Sequence, residues 1–139
     1  MSANDRATTA TGGCLCGAVR YEVRGPLRDV VNCHCGQCRR TSGHYAAFAA
    51  AAAGDLTVTE DRGLKWYKSS DIARRAFCAE CGSTLFWQPG HKRHTAIAAG
   101  SLDQPTGLRT TGNIFTADAG DYYAIDSGLE CWPGSMAGD

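Results

Sequence analysis

The sequence predicts an all-β domain. Short stretches in which apolar and polar residues alternate recur along the 139 residues, and glycine turns separate them. Almost no segment carries apolar residues at helical spacing. Many short strands without helices between them place the chain in the all-β class. The length fits a single domain, expected over residues 12–133, with a flexible tail before it at 1–11 and another after it at 134–139.

Taken in order, Ala18-Val19-Arg20-Tyr21-Glu22-Val23 alternates apolar and polar and reads as the first strand, ended by Gly25-Pro26. Asp29-Val30-Val31-Asn32 is a short strand that runs straight into Cys33. Gln37 to Ser42 can make one helical turn, which Gly43 stops. The alanine-rich run at residues 45–53 is open to two readings. Alanine favours helix, but Gly54 and the strand-like Leu56-Thr57-Val58-Thr59 follow at once. Gly63 to Lys68, Thr84 to Trp87 and His94 to Gly100 are further strands, the second ended by Pro89-Gly90. Asn113 to Thr116 and Tyr122 to Ile125 are short apolar pieces within loop-like sequence.

Composition removes several classes of function. Lys and Arg total 14, as do Asp and Glu, so net charge gives no argument for a nucleic-acid or anionic-membrane partner. No apolar run approaches the roughly 20 residues of a membrane span. Residues 1–13 lack the basic start and apolar middle of a secretion signal, so a cytoplasmic location is expected. In a reducing compartment eight cysteines read as metal ligands or redox groups and not as a disulfide framework.

The thiols carry the chemistry. Seven of the eight fall into three tight clusters: Cys14 with Cys16, then Cys33, Cys35 and Cys38, then Cys78 with Cys81. Soft thiolates at such spacing suit tetrahedral zinc, and glycines beside them permit tight loops. Two tetrahedral ions need eight ligands, so seven thiols leave one position open, as catalytic zinc sites do. A structural site commonly joins two knuckles from distant parts of a chain. Cys14, Cys16, Cys78 and Cys81 make such a set, which leaves Cys33, Cys35 and Cys38 for a second ion. In the competing reading this middle cluster is closed by Cys131, His34 or His44. His34 lies between two ligands and should point away from their metal. His44, His91 and His94 lack ligand spacing, and Cys131 reads as a small buried hydrophobe. Three thiolates make a zinc ion a weak activator of water but a good partner for a further soft ligand, such as a substrate thiol. Arg39 and Arg40 are placed to offset that charge or to hold a substrate carboxylate.

Three segments, Gly12 to Tyr21, Cys33 to Gly43 and Arg75 to Trp87, together resemble the glutathione-dependent formaldehyde-activating enzymes, whose domain is shared with centromere protein V. The resemblance implies a β-tent of stacked antiparallel sheets stapled by zinc, and it implies that the alanine-rich run is a strand. It implies two zinc ions per chain: a structural one at Cys14, Cys16, Cys78 and Cys81, and a catalytic one at Cys33, Cys35 and Cys38. It implies a carbon–sulfur lyase whose partners are a small thiol such as glutathione and a small aldehyde such as formaldehyde. Two positions depart from the family pattern: Asn113 stands where His often precedes Ile-Phe, and Tyr122 where Trp often precedes the late Tyr. The alternative functions are a non-enzymatic zinc module and a thiol redox protein. Against the latter, Cys78 and Cys81 lack a βαβ context.

Overall fold

The computed structural model describes residues 8–136. Eleven strands and one α-helix follow one another: β1 (Ala10–Gly13), β2 (Arg20–Val23), β3 (Leu27–Cys33), α1 (Gly36–Ser42), β4 (Ala46–Ala52), β5 (Leu56–Glu60), β6 (Leu64–Lys68), β7 (Ala73–Cys78), β8 (Thr84–Pro89), β9 (His94–Ala98), β10 (Thr110–Ile114) and β11 (Glu130–Cys131). Among the described residues the strands make two hydrogen-bonded sheets and no closed barrel, in agreement with the all-β reading. The chain divides into two compact units. The first takes residues up to Arg28 together with Ala49–Gly107; the second takes Asp29–Phe48 and the chain from Leu108 onward.

In the first unit β2 lies between β1 and β5, antiparallel to both. The strands β6, β7, β8 and β9 form an antiparallel meander. Alternation in β2 sends Tyr21 and Val23 inward and leaves Arg20 and Glu22 at the rim. Phe86 from β8 is fully buried and meets Tyr21 edge-on, with ring centroids 5.3 Å apart, while Trp66 stacks on it at 5.9 Å. Aromatic contact thus joins the two strand groups of this unit. The Tyr21 hydroxyl donates to Ser101 Oγ at 2.6 Å, and that serine donates to the Ala98 carbonyl at 2.7 Å. The buried phenol is therefore satisfied. Gly12 lies opposite Tyr21 in the β1–β2 ladder, and a Cβ there would run into the tyrosine hydroxyl and the Ser101 carbonyl.

In the second unit β10 pairs in parallel with both β3 and β11. These pairings depart from the antiparallel pattern that the resemblance implies. The chain between β3 and β10 is long enough for the crossover that a parallel pair needs. Trp132 covers Gly112 of β10 so closely that a Cβ there would come within 2.9 Å of the indole. The helix α1 starts at Cys35, whose sulfur accepts from the Cys38 N–H at 3.3 Å, and ends at Gly43 with φ +79°.

The alanine-rich run is the strand β4. Phe48, Ala49, Ala50 and Ala51 are all buried, so both faces are covered. A strand buried on both faces shows no alternation, and its burial outweighs alanine's helix preference. Some boundaries differ from expectation. Ala10 and Thr11, placed in the N-terminal tail, belong to β1, because Thr9 N–H also bonds the Val23 carbonyl and starts the ladder early. Residues 1–7 of that tail, and 137–139 of the C-terminal one, lie outside the described residues. Gly134, at the predicted start of the C-terminal tail, accepts a hydrogen bond from Phe115 N at 2.9 Å. The apolar piece Tyr122 to Ile125 lies outside the strands, and its tyrosines pack on histidines.

Truncating Phe86 to Ala should cost about 3–5 kcal/mol of stability, because the space between Tyr21 and Trp66 cannot close. Ile72→Ala, at a side chain that is 73% exposed, should stay within about 0.5 kcal/mol of the parent. Urea denaturation of the two variants measures both.

Candidate functional site

Two groups of thiols converge, and each lies within one unit. The four sulfurs of Cys14, Cys16, Cys78 and Cys81 all lie within 4.8 Å of one another, and the three of Cys33, Cys35 and Cys38 do likewise. These are the two sets that the sequence proposed.

The first group is built from two knuckles. Cys14 and Cys16 follow β1, Cys78 ends β7, and Cys81 lies in the turn after it. Gly17 at φ +86° and Gly82 at φ +82° each stand just after the second thiol of their knuckle, in a conformation that only glycine adopts freely. The Gly82 N–H returns to the Cys78 carbonyl at 2.7 Å and closes the turn. Ser83 ties the knuckles together: its hydroxyl accepts from Leu15 N–H at 3.0 Å and lies 3.2 Å from the Cys81 sulfur. Cys14 and Cys16 sulfurs are 3.7 Å apart, and Cys16 and Cys78 sulfurs 3.8 Å. Four sulfurs bound at about 2.3 Å around one tetrahedral zinc would stand about 3.8 Å apart. The donor set therefore fits that ion.

The proton affinities of these thiols diverge. Hydrogen bonds from Ser83, first its side chain and then its backbone, pull the Cys81 thiol down to about 5. The Ala18 N–H favours the Cys16 thiolate, but burial and the neighbours Cys81, Cys14 and Cys78 override it and push that thiol up to about 12. Thiolates this close repel one another unless a cation lies among them. Gly63 permits the packing: a Cβ there would come within 2.6 Å of the Cys78 sulfur.

The second group is compact. Cys33 ends β3, Cys35 caps α1 and Cys38 lies one turn into that helix. Cys33 and Cys38 are buried, while Cys35 is partly open. Hydrogen bonds with Cys35 and Cys38, then burial, raise the proton affinity of the Cys33 thiol strongly. Three sulfurs are again the soft donors that suit zinc. Among the described residues no further His, Cys, Asp or Glu joins the group. The candidates for a fourth ligand lie elsewhere. His34 is buried with both ring nitrogens occupied: Nδ1 is 2.7 Å from the Tyr123 hydroxyl and Nε2 is 2.8 Å from Asn113 Oδ1. Cys131 is exposed, contrary to its reading as a buried hydrophobe, because the two-residue strand β11 leaves it at the sheet edge beside Asn113.

An aromatic cluster that the sequence analysis did not assemble surrounds His34. Its ring lies 4.9 Å from Tyr45 and 5.5 Å from Tyr123. His44 continues the cluster, 4.3 Å from Tyr45 and 4.7 Å from Tyr123, and its Nδ1 is 2.7 Å from the Tyr122 hydroxyl. The only sequence signal was two His-Tyr or Tyr-Tyr pairs nearly 80 residues apart, which no local period connects. Arg39 keeps its Nε shut from solvent with no hydrogen-bond partner among the described residues. Its guanidinium lies near Gly36, within the knuckle. No helix among the described residues is long and apolar enough to cross a membrane.

A family profile described as "Glutathione-dependent formaldehyde-activating enzyme" matches residues 9–118. A Schizosaccharomyces pombe protein named "Uncharacterized lyase" is 34% identical over 77 residues, 55% of this chain and 55% of that protein. A Halomonas elongata protein named "Putative glutathione-dependent formaldehyde-activating enzyme" is 34% identical over 83 residues, 54% of this chain and 53% of that protein. The chain thus spans about half the length of the curated relatives it matches. A crystal structure of a Rhodobacter sphaeroides protein shares the fold, with a TM-score of 0.59 and 24% identity over 88% of this chain and 98% of the other.

Gly63→Ala should displace the Cys78 sulfur and cost about 1–3 kcal/mol by overpacking. Its cobalt-loaded form should show weakened thiolate-to-metal absorption, and thermal melting should start lower. Gly100→Ala should leave the cobalt spectrum unchanged, since a Cβ there meets nothing within 4 Å.

Proposed function

The chain belongs to the glutathione-dependent formaldehyde-activating enzyme family, and from that premise we propose that it is a carbon–sulfur lyase acting on the adduct of a small thiol, such as glutathione, and a small aldehyde, such as formaldehyde. The observation that carries this reading is the group of Cys33, Cys35 and Cys38, three sulfurs with no fourth side-chain ligand beside them among the described residues. A group of four favours a closed structural ion; a group of three leaves a position for substrate.

In this reading Cys14, Cys16, Cys78 and Cys81 hold a structural zinc that contributes to folding. Cys33, Cys35 and Cys38 hold the catalytic one. When bound there, zinc supplies the positive charge that lowers the pKa of an incoming thiol. The chain's own residues do the remainder. The N–H of Cys38 on the Cys35 sulfur fixes that ligand's orientation at the start of α1. His34, anchored at both nitrogens, holds the backbone between Cys33 and Cys35. The partly open Cys35 marks the side from which a thiol can approach. An aldehyde carbon is a good electrophile, so the step needs a thiolate, proximity and a place for one proton.

Metal analysis of the purified protein should find up to two zinc ions per chain. Cys35→Ser should lower turnover of the thiol–aldehyde adduct at least a hundredfold while the cooperative melting of the domain remains. Cys81→Ser should abolish that cooperative melting. A non-enzymatic zinc module predicts instead that the parent protein leaves the exchange between aldehyde and adduct at its uncatalysed rate. That result would end the lyase reading.

A further inference from the structure

The addition of a thiol to an aldehyde moves one proton from sulfur to oxygen, and a residue must carry it. Two histidines of the second unit, His34 and His44, stand in the aromatic cluster that packs on the residue between Cys33 and Cys35. His34 is not available. The Asn113 amide donates to the Asp126 carbonyl at 3.1 Å, so its oxygen faces His34 and takes the Nε2 proton. His34 Nδ1 is then an acceptor, filled by the Tyr123 hydroxyl, which in turn accepts from Gly120 N–H at 3.3 Å. The imidazole is 1% exposed, and every one of its polar atoms is used.

His44 is built from the same parts and left open. Its Nδ1 bonds the Tyr122 hydroxyl at 2.7 Å, the distance found between His34 and Tyr123. Its Nε2 has no partner among the described residues. The ring is half-buried, and Tyr122 is 57% exposed. Tyr45 and Tyr123 touch both imidazoles, so His44 belongs to the aromatic cluster that packs on the residue between Cys33 and Cys35. One histidine–tyrosine pair is thus locked in the interior, and the second is open to a ligand.

Building on the lyase reading, we propose that His44, oriented by Tyr122, is the acid–base catalyst of the thiol–aldehyde reaction. With the Nδ1 proton donated to the Tyr122 oxygen, the Nε2 lone pair faces outward as the base. The substrate thiol gives its proton to Nε2. The sulfur electron pair forms the bond to the aldehyde carbon, the carbonyl π pair moves onto oxygen, and the imidazolium returns the same proton to that oxygen. Cleavage of the adduct runs the same path backwards. Charge and atoms balance without a further reactant. Positioned acid–base groups contribute about 10²–10⁴ in rate.

The test measures exchange between formaldehyde and its glutathione adduct by NMR, on the zinc-loaded full chain and on His44→Ala. The variant should exchange at least tenfold more slowly at saturating glutathione, keep the parent's zinc content and melting temperature, and regain rate when imidazole is added. An unchanged rate, or a loss that imidazole does not restore, would overturn the proposal. Should His44→Ala not fold, Tyr122→Phe, which removes a single oxygen, carries the test. It should slow exchange about three- to tenfold, and parent-like exchange would count against the assignment. A parent protein that does not accelerate exchange refutes the lyase reading itself, and with it this one. An active parent with an active His44→Ala refutes the role of His44 alone.

Discussion

Sulfur atoms at 3.7 and 3.8 Å, within sets that span no more than 4.8 Å, set the terms for the rest of the molecule. Two unit charges 4 Å apart repel by about 4 kcal/mol at an effective dielectric of 20. Thiols can be crowded this way as neutral groups, but the buried ones, Cys33, Cys38 and Cys78, then lose the water they had in the unfolded chain and gain only weak hydrogen bonds. A cation among them turns the same crowding into attraction. Folding and metal capture are then coupled, as they are in small domains whose cores are modest.

Much of the local sequence serves that crowding. Gly17 and Gly82 turn the chain after each knuckle, Gly63 clears the space that the Cys78 sulfur occupies, and Ser83 bonds both knuckles. Remote from the sulfurs, Phe86 and Tyr21 supply ordinary apolar burial to the same unit. The two contributions have different chemistry. The rings act through area removed from water, and the sulfurs are a donor set that could hold a metal ion.

The thiol groups were legible in the sequence because ligand spacing is a local property: two or three residues decide whether sulfurs can turn toward one point. Cys33, Cys35 and Cys38 needed nothing more than their own hexapeptide. Joining Cys14 and Cys16 to Cys78 and Cys81 needed a chemical rule about closed sites, and the structure brings the four together. The elements least legible were those decided by distant partners. β4 is a strand because both of its faces are covered, which its alanines do not encode. β1 begins at Ala10 because it has β2 to pair with. The parallel pairing of β10 with β3 leaves no trace in alternation, since period 2 is the same for either direction. The aromatic cluster was invisible for the same reason: Tyr122 and Tyr123 meet His44 and His34 only after the crossover has been made.

Asn113 explains why one histidine of that cluster is locked and the other is not. Its amide oxygen accepts from both His34 Nε2 and Asn32 Nδ2, at 2.8 and 3.4 Å, while its amide nitrogen donates to the Asp126 carbonyl. An imidazole at 113 would offer one lone pair where the amide oxygen offers two, so it could not serve both neighbours. It could also gain a proton, and a protonated ring would have no acceptor for His34 at all. An amide does not titrate, so Asn113 keeps its oxygen as the acceptor toward His34 Nε2 and its nitrogen as the donor to the Asp126 carbonyl. This arrangement consumes both nitrogens of His34 and the hydroxyl proton of Tyr123. The freedom that remains in the cluster lies at Tyr122 and His44, where no amide closes the chain and one ring nitrogen has no partner among the described residues.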